Sequence, residues 1–164
     1  MPITGLGHTG LWVNDLAAMR DFYERVLGLE VTDADDELGI VFFSAQPELE
    51  HHEFVLQVGR TAPAGAKLPH QISWRVDSIE TIIDFHHTFR DEGIPVQQEV
   101  THGNAIGIYF FDPEGNRNEV YLKLDREVQQ PFRKTLNLDQ TPEQVMADVE
   151  DLLTSGGPAY QPVQ

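Results

Sequence analysis

Three side chains far apart in this sequence could share one metal ion: His8, His70 and Glu119. His70 follows His8 by 62 residues, and Glu119 follows His70 by 49. Two neutral imidazoles and an ionised carboxylate bind a divalent cation at neutral pH without disfavoured protonation states. Such a trio covers one face of the ion and leaves positions open for a substrate and O2. Iron(II), manganese, nickel and zinc all suit this donor set. Ligands so widely spaced meet only if the fold gathers their segments, and each lies in a run that reads as a β-strand.

The elements around them repeat. Residues 5–13 read as a strand, followed by a helix that Asn14 or Asp15 can cap. Met19, Phe22, Tyr23, Val26 and Leu27 share one helical face, and Gly28 is placed to end it. Short strands are expected near 29–33, 38–44 and 52–58. The Gly-, Pro- and Ala-rich stretch 59–69 reads as a linker. His70 then opens a second strand, Asp77 or Ser78 caps a second helix bearing Ile79, Ile82, Ile83 and Phe89, and Gly93 closes it. Strands follow near 95–101, 106–111 and 117–124, the last two joined by the turn Asp112-Pro113-Glu114-Gly115-Asn116. Trp12 lies four residues after His8 and Trp74 four after His70, which places the two histidines at equivalent points of a doubled βαβββ pattern. Both tryptophans read as core residues.

Residues 1–124 therefore form one domain of two units, about 4–58 and 69–124, and residues 125–164 form an extension with one helix. Thr141-Pro142-Glu143-Gln144 is a capping box with proline at the first helical position, and Val145, Val149, Leu152 and Leu153 make an apolar stripe. That stripe is expected to pack on the domain or on a second subunit, and residues 155–164 to fray. A homodimer or higher homo-oligomer is the expected assembly.

Composition narrows the function. With no cysteine, disulfides, thiolate metal sites and a cysteine nucleophile are excluded, which fits a cytoplasmic protein. A net charge of −16 repels nucleic acid and anionic lipid, so neither is an expected partner. No apolar run reaches membrane-spanning length, and the opening residues lack the basic-then-apolar pattern of a secretory signal.

The doubled pattern and three motifs resemble the vicinal oxygen chelate superfamily, which holds glyoxalases, extradiol dioxygenases, epimerases and fosfomycin-resistance proteins. The motifs are Gly-Leu-Gly-His8-Thr-Gly-Leu-Trp-Val, Leu-Pro-His70-Gln-Ile-Ser-Trp-Arg-Val and the segment from Ile108 through Asp112-Pro-Glu-Gly-Asn116 to Glu119-Val-Tyr. The resemblance implies an α+β fold in which two βαβββ units form a half-open β-barrel around a metal site, with the C-terminal helix added. Within the superfamily the chain is similar to the one-domain type I extradiol dioxygenases. That resemblance implies iron(II) held by His8, His70 and Glu119, with a small aromatic diol and O2 as partners. It also implies catalytic roles for His52, in the pair His51-His52 before a strand, for Tyr109, ten residues before Glu119, and for His102. Proton transfer suits His52, and a hydrogen bond to a substrate oxygen suits Tyr109. Strand alternation puts His51 and His52 on opposite faces, so only one of them points inward. Glyoxalase I uses a second glutamate, for which this sequence has no secure candidate.

His86 and His87 lack a partner at chelating spacing on their helix and read as surface or core-edge residues. The acidic run 33–37 reads as a solvated hairpin turn. The leading expectation is an iron(II) extradiol dioxygenase; a glyoxalase-type lyase or isomerase and a non-catalytic small-molecule-binding module are the alternatives.

Overall fold

The computed structural model describes residues 3–63, 66–155 and 157–160. Residues 64–65 of the expected linker and 161–164 of the expected frayed end lie outside the described residues. The chain divides into two compact units, one of residues 1–66 with 113–115 and the other of residues 67–112 with 116–164.

The first unit holds β1 (Thr9–Val13), α1 (Leu16–Asp21), β2 (Glu30–Asp35), β3 (Ile40–Ser44) and β4 (Phe54–Val58). Its sheet runs β1-β4-β3-β2, with β1 parallel to β4 and the other pairs antiparallel. The Asp15 carboxylate caps α1 by accepting from the Ala18 N–H. The expected single helix changes character partway: Phe22–Val26 is a π-helical turn, in which the Leu27 N–H reaches the Phe22 carbonyl. Gly28, at φ +74°, then ends it, because only glycine takes that conformation without cost. Met19, Phe22, Tyr23 and Val26 are buried, and the Tyr23 ring lies 4.6 Å from that of Phe54. The first strand starts at Thr9, four residues later than expected. Asp35 turns its carboxylate onto the Glu37 and Leu38 N–H groups, so the acidic run is exposed as expected, but only Asp36 and Glu37 lie in the turn while residues 33–35 finish β2.

The second unit repeats the plan with β5 (Ile72–Val76), α2 (Ile79–Asp91), β6 (Val96–Thr101), β7 (Ala105–Phe111) and β8 (Arg117–Lys123). Its sheet runs β5-β8-β7-β6 and continues into β9 (Lys134–Thr135), which is too short to be read from sequence. Ser78 caps α2, and Ile82, Ile83 and Phe89 are buried beneath it. Both units carry a β-bulge at the same place, opposite Phe43 in the first and Phe110 in the second. The tail packs within the second unit. Its helix α3 (Pro142–Thr154) has the expected capping box and buries Val145 and Val149. Buried Lys134 donates to the Leu152 carbonyl at 2.7 Å and the Ser155 carbonyl at 3.1 Å, neutralising the negative end of α3.

Candidate functional site

The repeat has a period of 63 residues. Thr9 and Ile72 start the matching strands, Asp15 and Ser78 cap the matching helices, and Leu16 and Ile79 begin them. Gln71, not His70, therefore matches His8, each standing directly before its strand. The expected equivalence of the two histidines does not hold, nor does that of the tryptophans: Trp74 matches Leu11 and Trp12 matches Arg75. A shared four-residue spacing concealed the shift by one residue. His8 and His70 lie outside the strands that were expected to carry them, and both are exposed. Trp12 is 56% exposed, with its ring against Gly59, so it is not a core residue.

Glu119 is fixed in the middle of β8. It is 6% exposed and paired in register with Ser73 on β5 and Tyr109 on β7. The Ser73 hydroxyl donates to its Oε2 at 2.6 Å, and the Gln71 Nε2 donates to the same oxygen at 3.0 Å. Arg117 holds Gln71 in turn, donating to the amide Oε1 at 2.6 Å while its guanidinium lies 4.0 Å from the Tyr109 ring centre. Gly107 explains the room: a Cβ there would sit 2.7 Å from Glu119 Oε1. Gln71, Ser73, Gly107 and Arg117 were not picked out from sequence. Alternation does put Arg117 with Glu119 and Gln71 with Ser73, but which strands pair was the missing fact.

Tyr109 and His102 are brought together. The His102 Nδ1 lies 2.9 Å from the Phe132 carbonyl, which can only accept, so this nitrogen carries the proton in the neutral ring. Its Nε2 is then the acceptor facing the Tyr109 hydroxyl at 3.0 Å. Burial, reinforced by the neighbouring Glu119 carboxylate, pushes the Tyr109 pKa well above its usual value, so the phenol stays protonated. Its one proton has two acceptors, His102 and Glu119. His102 is thus an oriented partner of Tyr109 and not a solvated loop residue.

In the first unit, the His8 and His52 rings lie 4.6 Å apart. His51 and His52 precede β4 and do not alternate as a strand would; their Nδ1 atoms meet at 3.0 Å, and the expected opposite facing is overturned. Phe42 stands 5.1 Å from the His52 ring. Partial burial, then the positive potential of His8 and His51, lowers the His52 pKa, leaving a neutral base at neutral pH.

The expected metal trio is divided between the units, His8 in the first and His70 with Glu119 in the second. Among the described residues, one set of three candidate ligands has its donor atoms within 4.8 Å of one another: His86, His87 and Asp139. Also among them, no helix is long and apolar enough to cross a membrane.

Comparison with known proteins bears on this arrangement. The family model of the Glyoxalase/Bleomycin resistance protein/Dioxygenase superfamily matches residues 5–120. Biphenyl-2,3-diol 1,2-dioxygenase 2 of Rhodococcus globerulus is 28% identical over 119 residues, covering 70% of this chain and 60% of that protein. Biphenyl-2,3-diol 1,2-dioxygenase 3 of the same organism is 30% identical over 126 residues, covering 71% of this chain and 62% of that protein. This chain thus spans less than two thirds of the length of both relatives. A solved fosfomycin resistance protein, FosX of Listeria monocytogenes, shares the fold with a TM-score of 0.61 at 19% identity, covering 76% of this chain and 97% of that one.

Proposed function

Because the chain belongs to the Glyoxalase/Bleomycin resistance protein/Dioxygenase superfamily, we propose that it is an iron(II)-dependent extradiol dioxygenase that opens a catechol-type ring with O2. The observation that carries this reading is the group around Glu119: one buried carboxylate gripped by Ser73 and Gln71, in register with Tyr109, whose hydroxyl meets His102. The position matching Glu119 in the first unit is Val55, so the frame offers no second glutamate there for a four-residue glyoxalase shell. The two dioxygenases of biphenyl-2,3-diol among its relatives support an aromatic vicinal diol as substrate.

The proposed ligands are His8, His70 and Glu119. Their chemistry fits a divalent ion, and the missing side chain of Gly107 keeps Glu119 Oε1 clear of a steric neighbour. The 63-residue period matches Gln71 rather than His70 to His8, but the Gln71 amide is held by Arg117 and Glu119, which leaves His70 the proposed ligand. Metal content of His70→Ala against Gln71→Ala separates the two. Bound iron(II) would supply a place for the diol oxygens and O2 to meet, and a path for electrons from ring to oxygen.

The chain's own groups supply the rest. Neutral His52 takes a substrate proton and later returns it. With Glu119 serving as a metal ligand, the Tyr109 proton would turn to His102, leaving the phenolic lone pairs to accept from a substrate hydroxyl. Ser73 and Gln71, the latter held by Arg117, keep the Glu119 carboxylate from rotating. The test is turnover under two gases. Iron-loaded protein should bind a catechol anaerobically and form the ring-opened acid only when O2 enters, consuming one O2 per product. Anaerobic turnover of a thiol–aldehyde adduct without catechol cleavage would overturn the reading in favour of a lyase or isomerase. Binding with no turnover in either gas would overturn it in favour of a non-catalytic module.

A further inference from the structure

On the outer side of the second unit, α2 carries two successive histidines that the proposed reaction does not use. His86 is held at both ring nitrogens. Its Nδ1 faces Glu99 Oε1 on β6, and its Nε2 lies 3.2 Å from Asp139 Oδ1. His87, next to it with ring centres 5.1 Å apart, has a buried Nδ1 without a hydrogen-bond partner among the described residues. Asp139 arrives from the segment between β9 and α3. That segment is anchored by fully buried Leu138, and the Asp139 N–H donates to the Asn137 side chain at 3.0 Å.

An ion pair alone accounts for His86 but not for His87. Burying a ring nitrogen without a partner costs free energy, and nothing in an ion-pair scheme returns it. A cation accounts for both. Metal-binding histidines characteristically direct their second ring nitrogen to a carboxylate, which fixes the ring and strengthens the ligand. Glu99 stands in that relation to His86, leaving Nε2 toward Asp139. Two imidazoles and one carboxylate with donor atoms within 4.8 Å are an N2O set suited to zinc and its neighbours, and the exposed Asp139 side leaves water to complete the shell. One cation opposes the ion. Arg90 Nη1 lies 3.0 Å from Asp139 Oδ1, but both side chains are more than half exposed, and a surface pair of this kind yields at little cost.

We propose that His86, His87 and Asp139 form a binding site for a divalent transition ion, with Glu99 orienting His86. The ion would fasten α2 to the segment leading into α3. This site is independent of the proposed dioxygenase chemistry, and its residues all lie within the second unit.

Zinc is the probe. The metal-stripped full chain is dialysed against zinc, its bound zinc is counted, and its melting temperature is followed. The same is done for His87→Ala, Asp139→Asn and Glu119→Gln. His87→Ala and Asp139→Asn should each bind one equivalent fewer than the unaltered chain and lose the zinc-induced rise in melting temperature. Glu119→Gln should keep that rise. The difference of one equivalent holds whether or not His8, His70 and Glu119 also bind zinc, so failure of that trio would not imitate failure here. Asp139 is exposed, so Asp139→Asn should fold even if His87→Ala does not. Unchanged zinc content in Asp139→Asn, together with an unshifted His87 ring resonance when zinc is added to the unaltered chain, would overturn the proposal.

Discussion

The two units share a strand order, a bulge position and a side-chain-capped helix, yet few of their matched residues are the same, and some of the differences are chemically decisive. Where the first unit has Val55 beside Gly10 and Phe42, the second has Glu119 beside Ser73 and Tyr109. Where the first has Ile40, the second has Gly107. Where the first has His8, the second has Gln71. The same backbone thus carries an apolar patch in one copy and a hydrogen-bonded carboxylate in the other. A few substitutions on one face are enough, because the sheet supplies the spacing and side chains only fill it. The first unit carries instead a pair of touching histidines before β4.

The largest expected effect comes from removing the feature that separates the copies. Glu119→Gln keeps size but deletes the only anionic group of the proposed trio, and should remove the equivalent of iron(II) bound there while the melting temperature stays close to that of the unaltered chain. Full metal occupancy in that variant would remove Glu119 from the site.

Next comes the base in the first unit. His52→Phe should retain metal and substrate binding but lose turnover by about 10²–10⁴-fold, the usual worth of general acid–base help. His51→Phe should cost less, since His51 touches His52 and His52 is the one against His8. Equal losses in kcat would show that the pair acts as one group.

Gly107→Ala tests whether the second unit makes room for its carboxylate. The added Cβ would push Glu119 Oε1 aside and should weaken metal binding by about 10–100-fold, as loss of a supporting contact does. Ile40→Ala, the matched change in the first unit, should leave metal affinity alone. Comparable metal titrations for both variants would mean that the copies do not differ in the way argued.

The smallest effect concerns the helices. Tyr23, in the π-helical turn that follows α1, is fully buried, while the matched His86 on α2 reaches Glu99 and Asp139. Burial opposes charge on His86, but the hydrogen bonds to those two carboxylates prevail and raise its pKa. A raised folded pKa means stabilisation that is complete below the unfolded value of about 6.5 and fades as pH climbs through the folded value. In metal-free protein, His86→Gln should therefore lower the melting temperature more at about pH 5.5 than at about pH 8.5. A deficit that does not change with pH would leave His86 uncharged in the fold.

The period-two and helical patterns, the capping residues Asp15, Ser78 and Thr141, and the Asp112–Asn116 turn were legible as sequence, because each depends on neighbours a few residues away. These were enough for the doubled βαβββ plan, while Tyr109 and His102 were singled out only by the family resemblance. Register was not legible. A shift of one residue in a strand sends every side chain to the other face, and only pairing between distant strands fixes it. The tertiary structure therefore decided that Gln71 matches His8, that Ser73 holds Glu119, that His51 and His52 touch, and that Asp139 reaches His86.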